Sequence, residues 1–303
     1  GIGAHGAGWF YEGRVADAIA QAAQHPPTAP DADHAWRPGL LTADDIAAYR
    51  APERAPTRTG FHGFDLWSMG PPSSGGSTVG EILNILEGYR GLRADRTRAL
   101  HLFLEASRRS YADRGAFLAD PDHVSVPLET LLSDDYAAER RALIDEAQAG
   151  TSPADPGDPN RSTTHIVVAD RHGTVVSYTF TIESTGGNGI VVPGYGFLLN
   201  NELTDFNYDA TDHPNSPGSR KRPRSSMAPT IVTRDGRPLL AVGSPGGASI
   251  ITTVAQVLLD RLELGATLPE AIARPRASQR NRAATEVEPA FLQTPEAGAL
   301  TAL

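Results

Sequence analysis

Apolar residues recur at helical spacing in "YEGRVADAIAQAAQ" (11–24), and Thr42 and Asp45 in "LTADDIAAYR" stand at the separation of a capping box, so the chain opens with predicted helices. A short strand is predicted at "FDLWSM" (64–69). Beyond the turn "GPPSSGGS" (70–77), Val79, Ile82, Leu83 and Leu86 share one helical face, and further helices fit 97–117 and 133–148. From Thr163 the pattern becomes that of strands. "THIVVAD" and "TVVSYTFTI" flank "RHG", a hairpin connection with Gly173 available for positive φ. Further strands fit 189–192, 197–201, 228–234 and 239–244, before helices return at 248–264 and 268–276. Helices, then strands joined by short turns, then helices predict a layered α/β sandwich with a largely antiparallel sheet. No internal repeat is visible.

Between the two halves lies "AGTSPADPGDPNRS" (149–162), with little apolar surface to offset the entropy of ordering it. It is expected to be an exposed, mobile, protease-accessible linker, dividing the chain into 1–162 and 163–303. The 303 residues, 40 % apolar, suffice for a full core, and no uninterrupted apolar run is long enough for a membrane span. A formal charge of −9 argues against nucleic-acid binding through a general basic surface; the one dense basic run, "SRKRPR" (219–224), is short. With no cysteine, thiolate catalysis, a Cys-based zinc site and disulfides are excluded, and the redox compartment is unreadable. A chain that starts at Gly1 is expected to be a processed product or a fragment.

The linker runs into Thr163 and Thr164. If it is cut between Ser162 and Thr163, the new terminus carries a hydroxyl and a free α-amine on one rigid strand, so a single residue supplies nucleophile and general base. An α-amine titrates at about 7.7–8.0, suited to accept a proton near neutral pH. The alternative is that the two threonines merely start a strand. In "GSPGGASIITTVAQVLL" (243–259) a strand ends, Gly246 and Gly247 follow, and a helix begins. Their N–H groups can point at an anion with the helix dipole behind them, an oxyanion hole in outline, or form a plain strand-to-helix turn. Glu183, Glu202 and Asp205, with Ser225 and Ser226, form a polar group near the predicted strand ends. Carboxylates there suit a substrate ammonium, although each taken singly is an ordinary surface or turn residue. "GIGAHG" (1–6) lacks the preceding strand of a dinucleotide site. Ser73, Ser74 and Ser244 lie in no G-x-S-x-G elbow, and the histidines lack H-E-x-x-H spacing; His165 and His172 are read as strand and turn residues.

"TTHIVVADRHGTVVSYTFTIE", "GYGFLLNNELTDF", "KRPRSSMAPTIV" and "GSPGGASIITTVAQVLL", in this order, resemble the γ-glutamyltranspeptidases, members of the N-terminal nucleophile hydrolase superfamily; so do residues 41–89 and "YADRGAFLADPDHVSVP" (111–127). The resemblance implies an α+β, four-layer αββα sandwich, expected here to be incomplete at both ends. It implies a precursor that cuts itself between Ser162 and Thr163, leaving a large-subunit part (1–162) and a small subunit (163–303) that stay associated in one structural domain. It further implies that Thr163 is the nucleophile, Thr181 its hydrogen-bonding partner, and Gly246 and Gly247 the oxyanion hole. Glu183, Glu202 and Asp205 would hold the substrate α-amine, and Ser225 and Ser226 its α-carboxylate. Glu at 183 is the form typical of some bacterial members, and the 206–224 segment is too short for the lid loop that covers the site in some relatives, so the resemblance is to the bacterial lidless type and predicts an open cleft. The implied reaction is γ-glutamyl hydrolysis or transfer from glutathione, glutamine or γ-glutamyl peptides to water or an amine. It needs no cofactor and no metal and takes place in the periplasm or outside the cell. The family's large subunit also has an upstream arginine for the glutamyl carboxylate, and no segment here matches that part. A glutaryl-type acylase of the same superfamily, or an inactive remnant, are the alternatives.

Overall fold

The computed structural model describes residues 1–33, 35, 37–151 and 161–303, with backbone alone at 161 and 162. Most of the predicted linker lies outside the described residues. The chain forms two compact units, Gly1–Glu53 with Thr181–Glu202, and Arg54–Phe180 with Leu203–Leu303. Each therefore draws on sequence from both sides of Thr163.

In the smaller unit, α1 (Arg14–Gln24) buries Val15, Ala16, Ile19, Ala20 and Ala22, its apolar stripe, with Ile46 of α2 (Ala43–Ala48) and with Ile190 and Val192. The capping box is formed as expected: Thr42 Oγ1 accepts from the Asp45 N–H at 3.2 Å and Asp45 Oδ2 from the Thr42 N–H at 2.9 Å. The strands expected at 189–192 and 197–201 are not formed. One isolated antiparallel bridge, Val191 with Leu198, joins those segments. Gly186, Gly187, Gly189, Gly194 and Gly196 all take positive φ, and Pro193 has no N–H to give, so the pairing cannot extend into a ladder.

The larger unit is built on a four-stranded antiparallel sheet in the order β1 (Thr57–Phe61), β2 (Phe64–Ser68), β5 (Thr230–Arg234), β6 (Arg237–Val242). The hairpin of β3 (Arg161–Ala169) and β4 (Val175–Ser184) forms a separate two-stranded sheet with Gly173 at φ +89° in its turn. Strand β1 has no apolar alternation to mark it in the sequence, because its buried positions are Thr57 and Thr59 as well as Phe61. Helix α3 (Gly75–Glu87) lies tight against this sheet. A Cβ on Gly76 would meet Thr57 Oγ1 and Met69 O at 2.5 Å, and one on Gly80 would meet Thr59 Oγ1 at 2.3 Å. Helices α4 (Arg96–Phe117) and α6 (Ser249–Leu262) pack with α3 around Ile82, Leu86, Phe103, Ile251 and Leu258, all fully buried. The predicted helix 133–148 stops early as α5 (Asp134–Arg141); Asp145 Oδ1 instead accepts from the Ala147 N–H at 2.8 Å, a local bond that competes with the helix. The architecture is α+β, as expected.

Within this helical layer Glu81 is almost fully buried next to Asp113, which Arg140 binds. Burial first, and then the Asp113 carboxylate, push Glu81 well above its ordinary 4.5. A carboxyl raised on folding contributes stability below pH 4.5 that is lost as pH rises through the folded value. Glu81→Gln is therefore expected to flatten the fall of melting temperature on the alkaline side. Thermal melts of both proteins at a series of pH values check this; parallel curves would show that Glu81 does not titrate as described.

Candidate active site

Thr163 stands half-buried on β3, two residues before His165. His165 Nδ1 is 2.8 Å from Thr179 Oγ1 across the hairpin, and its ring lies so close to Gly243 that a Cβ there would sit 2.2 Å from it. Burial pushes the imidazole below its ordinary 6.5, so it is neutral near pH 7. His165 thus seats the strand that carries Thr163 against Gly243, the residue that follows β6. A cavity of about 600 Å³ opens here, lined by His165, Val167 and the run from Ala241 to Pro245, together with Ser249. His165 and His172 occupy strand and turn as expected.

The turn after β6 places Gly246 at φ +123° and Gly247 at φ +57°, conformations open to glycine, directly before α6. Their carbonyls are used within the turn: Gly246 O accepts the Ser249 N–H at 3.2 Å and its hydroxyl at 2.8 Å, and Gly247 O accepts the Ile250 N–H at 3.0 Å. Among the described residues neither glycine N–H donates to any group. Both amides stand directly before the N-terminus of a 14-residue helix.

Ser225 is held from the turn before α3 and Ser226 from α4. Ser225 bridges Ser73 in parallel, receives the Ser74 N–H at 2.9 Å and the Ser74 hydroxyl at 2.7 Å on its carbonyl, and gives its own N–H to Pro72 O at 3.1 Å. Ser226 is only 5 % exposed, and Arg114 Nη2 donates to its Oγ at 2.8 Å. Asp205 ends a short 3-10 turn, Glu202–Asp205, and its carbonyl accepts from Asn215 Nδ2 at 2.7 Å.

Thr181, Glu183 and Glu202 belong to the smaller unit. Thr181 Oγ1 accepts the Glu183 N–H at 2.9 Å. Glu183 is buried at φ +73°, and its Oε2 accepts from Ser184 Oγ and Asn201 Nδ2, both at 2.5 Å. Glu202 gives its N–H to Asn200 Oδ1 at 3.0 Å. Thr163, Asp205, the serine pair and the glycine turn all belong to the larger unit. Asn201 and Arg114, which grip Glu183 and Ser226, were missed as functional candidates in the sequence. The only sequence signal for either was its position inside a matched motif, "LLNNELTDF" or "YADRG". No helix among the described residues is long and apolar enough to cross a membrane.

Helices layered on an antiparallel sheet make an α+β fold, and its structural likeness to an acylase places it with the N-terminal nucleophile hydrolases. The family model described as Gamma-glutamyltranspeptidase matches residues 1–302. The chain is 37 % identical over 294 residues to the glutathione hydrolase proenzyme of Pseudomonas sp. (strain A14), covering 92 % of this chain and 49 % of that protein. With the protein of the same name from Escherichia coli (strain K12) it shares 38 % identity over 291 residues, covering 91 % and 48 %. In structure it is similar to the cephalosporin acylase of Bacillus halodurans, with a TM-score of 0.85 at 29 % identity, covering 99 % of this chain and 52 % of that one. The chain belongs to the γ-glutamyltranspeptidase family. It spans about half the length of the curated relatives it matches.

Proposed function

We propose that the chain carries the nucleophile and acyl-binding elements of an enzyme that hydrolyses or transfers γ-glutamyl groups. The observation that carries this reading is the pair of glycine amides without a partner among the described residues, in a turn that follows Gly243, which packs on His165 of the strand of Thr163, with a hydroxyl pair and a carboxylate in the same unit. The Thr163 hydroxyl attacks the Ser162 carbonyl carbon, and the C–N bond between the two residues breaks as the hydroxyl proton passes to the nitrogen, giving an ester and a free Thr163 amine; water then hydrolyses the ester to a carboxylate at Ser162 and the restored Thr163 hydroxyl. That amine then takes the hydroxyl proton as Oγ1 attacks a γ-glutamyl amide, and passes it to the departing amine. A γ-glutamyl ester remains, and water or an acceptor amine releases it. The two fragments stay associated, Glu183, Glu202 and Asp205 receive the substrate ammonium, and Ser225 and Ser226 its α-carboxylate. No cofactor enters this scheme, and the resemblance supports a periplasmic or extracellular setting. The proenzyme names of the relatives support the processing step.

The similarity to a cephalosporin acylase favours a second reading, in which the acyl group is a glutaryl type without an α-amine. Turnover of γ-glutamyl and glutaryl anilides, each with and without a dipeptide acceptor, separates the two. Preference for the glutaryl anilide would overturn the glutamyl reading. Asp205→Asn is expected to weaken glutamyl turnover by about 10- to 100-fold, as for loss of one charge-assisted hydrogen bond of roughly 1.5–3 kcal/mol. It should leave glutaryl turnover nearly unchanged; equal losses on both would make Asp205 structural.

A further inference from the structure

We propose that Arg114 is a positioning residue that commits the Ser226 hydroxyl to donating toward a carboxylate, and so sets the acidic preference of this subsite. The inference rests on the γ-glutamyl reading above and adds to it a residue within the chain that the sequence analysis assigned no role. Arg114 lies near the C-terminal end of α4, and its guanidinium forks between two hydroxyls: Nε donates to Ser74 Oγ and Nη2 to Ser226 Oγ, each at 2.8 Å. A guanidinium has only donors. Both hydroxyl oxygens therefore act as acceptors toward it, and each proton must point elsewhere. The Ser74 proton goes to the Ser225 carbonyl at 2.7 Å. The Ser226 proton is turned away from the cation. Ser74 and Ser226 are both buried, so the field of the charge is poorly screened at the hydroxyl it polarises.

A hydroxyl so directed donates to an anion and offers little to an ammonium. The same cation is tied to the glycine turn: the Arg114 guanidinium carbon lies 5.7 Å from the centre of the Tyr111 ring, and the Tyr111 hydroxyl donates to the carbonyl of Ala248, the residue after Gly247. Arg224 Nη1 holds the Arg114 carbonyl at 2.7 Å from the segment that carries the serines. Arg114 thus connects the carboxylate end of the subsite to its oxyanion end. Lysine cannot reproduce a two-pronged fork.

The test is a titration of the purified chain with L-glutamate and with 4-aminobutanoate, which has the same amine and chain but no α-carboxylate, followed at the Arg114 Nε–H in nitrogen-edited spectra. Glutamate is expected to shift that signal saturably and 4-aminobutanoate to leave it in place. Ser226→Ala should abolish the glutamate shift, and Arg114→Lys should raise the glutamate dissociation constant about tenfold or more by calorimetry. Equal shifts from both ligands, no shift from either, or unchanged glutamate affinity in a folded Arg114→Lys protein would overturn the proposal. If the Lys variant fails to fold, the unsubstituted chain and Ser226→Ala still decide it. A chain that discriminates the two ligands yet never turns over a γ-glutamyl anilide would overturn the proposed function alone.

Discussion

Thr163→Ala is expected to give one uncut chain in the mass spectrum, and the unsubstituted protein two fragments meeting at Ser162 and Thr163. In the proposed scheme the substitution removes the hydroxyl that attacks the Ser162 carbonyl and, with it, the nucleophile that later takes the γ-glutamyl group. The strand itself has little reason to fail, because Thr163 is half-buried and the hairpin is seated through His165, Thr179 and Gly243. Turnover should fall to background, a loss on the order of 10⁶-fold, the scale of removing a lone nucleophile. Thr163→Ser keeps the attacking oxygen and should still be cut. Two fragments from the Ala protein, with the same junction, would mean that processing does not depend on this hydroxyl.

The sequence made the helices of the larger unit and the β3–β4 hairpin legible because each carries its own period. Val79, Ile82, Leu83 and Leu86 repeat at helical spacing and are all buried in the core of α3. The misreadings arise where local pattern and tertiary context part. Apolar "GIVV" and "FLLNN" suggest strands, but the glycines around them take positive φ and limit pairing to one bridge. Strand β1 turns threonines inward, so its alternation is invisible to a reading based on apolar residues. At the candidate site, Thr163 and the Gly246–Gly247 turn were legible because each is a local event, a strand entrance or a strand-to-helix junction. Arg114 was not. It reaches Ser226 across 112 positions of sequence, and no local period encodes a bond made through tertiary packing. Ser74 was weighed only as a hydrolase nucleophile, whereas its hydroxyl links Arg114 to the Ser225 carbonyl.

Gly247→Val is expected to lower the acylation rate of processed protein by about 10²–10³-fold, or roughly 2.7–4 kcal/mol, the cost of one oxyanion donor. Valine is β-branched and strongly disfavours the φ of +57° that Gly247 adopts, so the backbone must rotate and carry its N–H away from its present direction. The carbonyls of both glycines are already engaged by Ser249 and Ile250, which fixes the peptide planes, whereas the two amides have no partner among the described residues. Rotation therefore disturbs amides in the turn that have no partner among the described residues. Helix α6 should survive, since its buried face of Ile250, Ile251, Val254 and Leu258 lies beyond the turn. Self-cleavage also passes through an oxyanion and should slow, by a smaller factor if the precursor draws on other donors. Single-turnover acylation, with circular dichroism as the folding control, checks the effect. An unaltered rate in a well-folded Val protein would remove this turn from the chemistry and leave its positive φ values as those of a strand-to-helix junction.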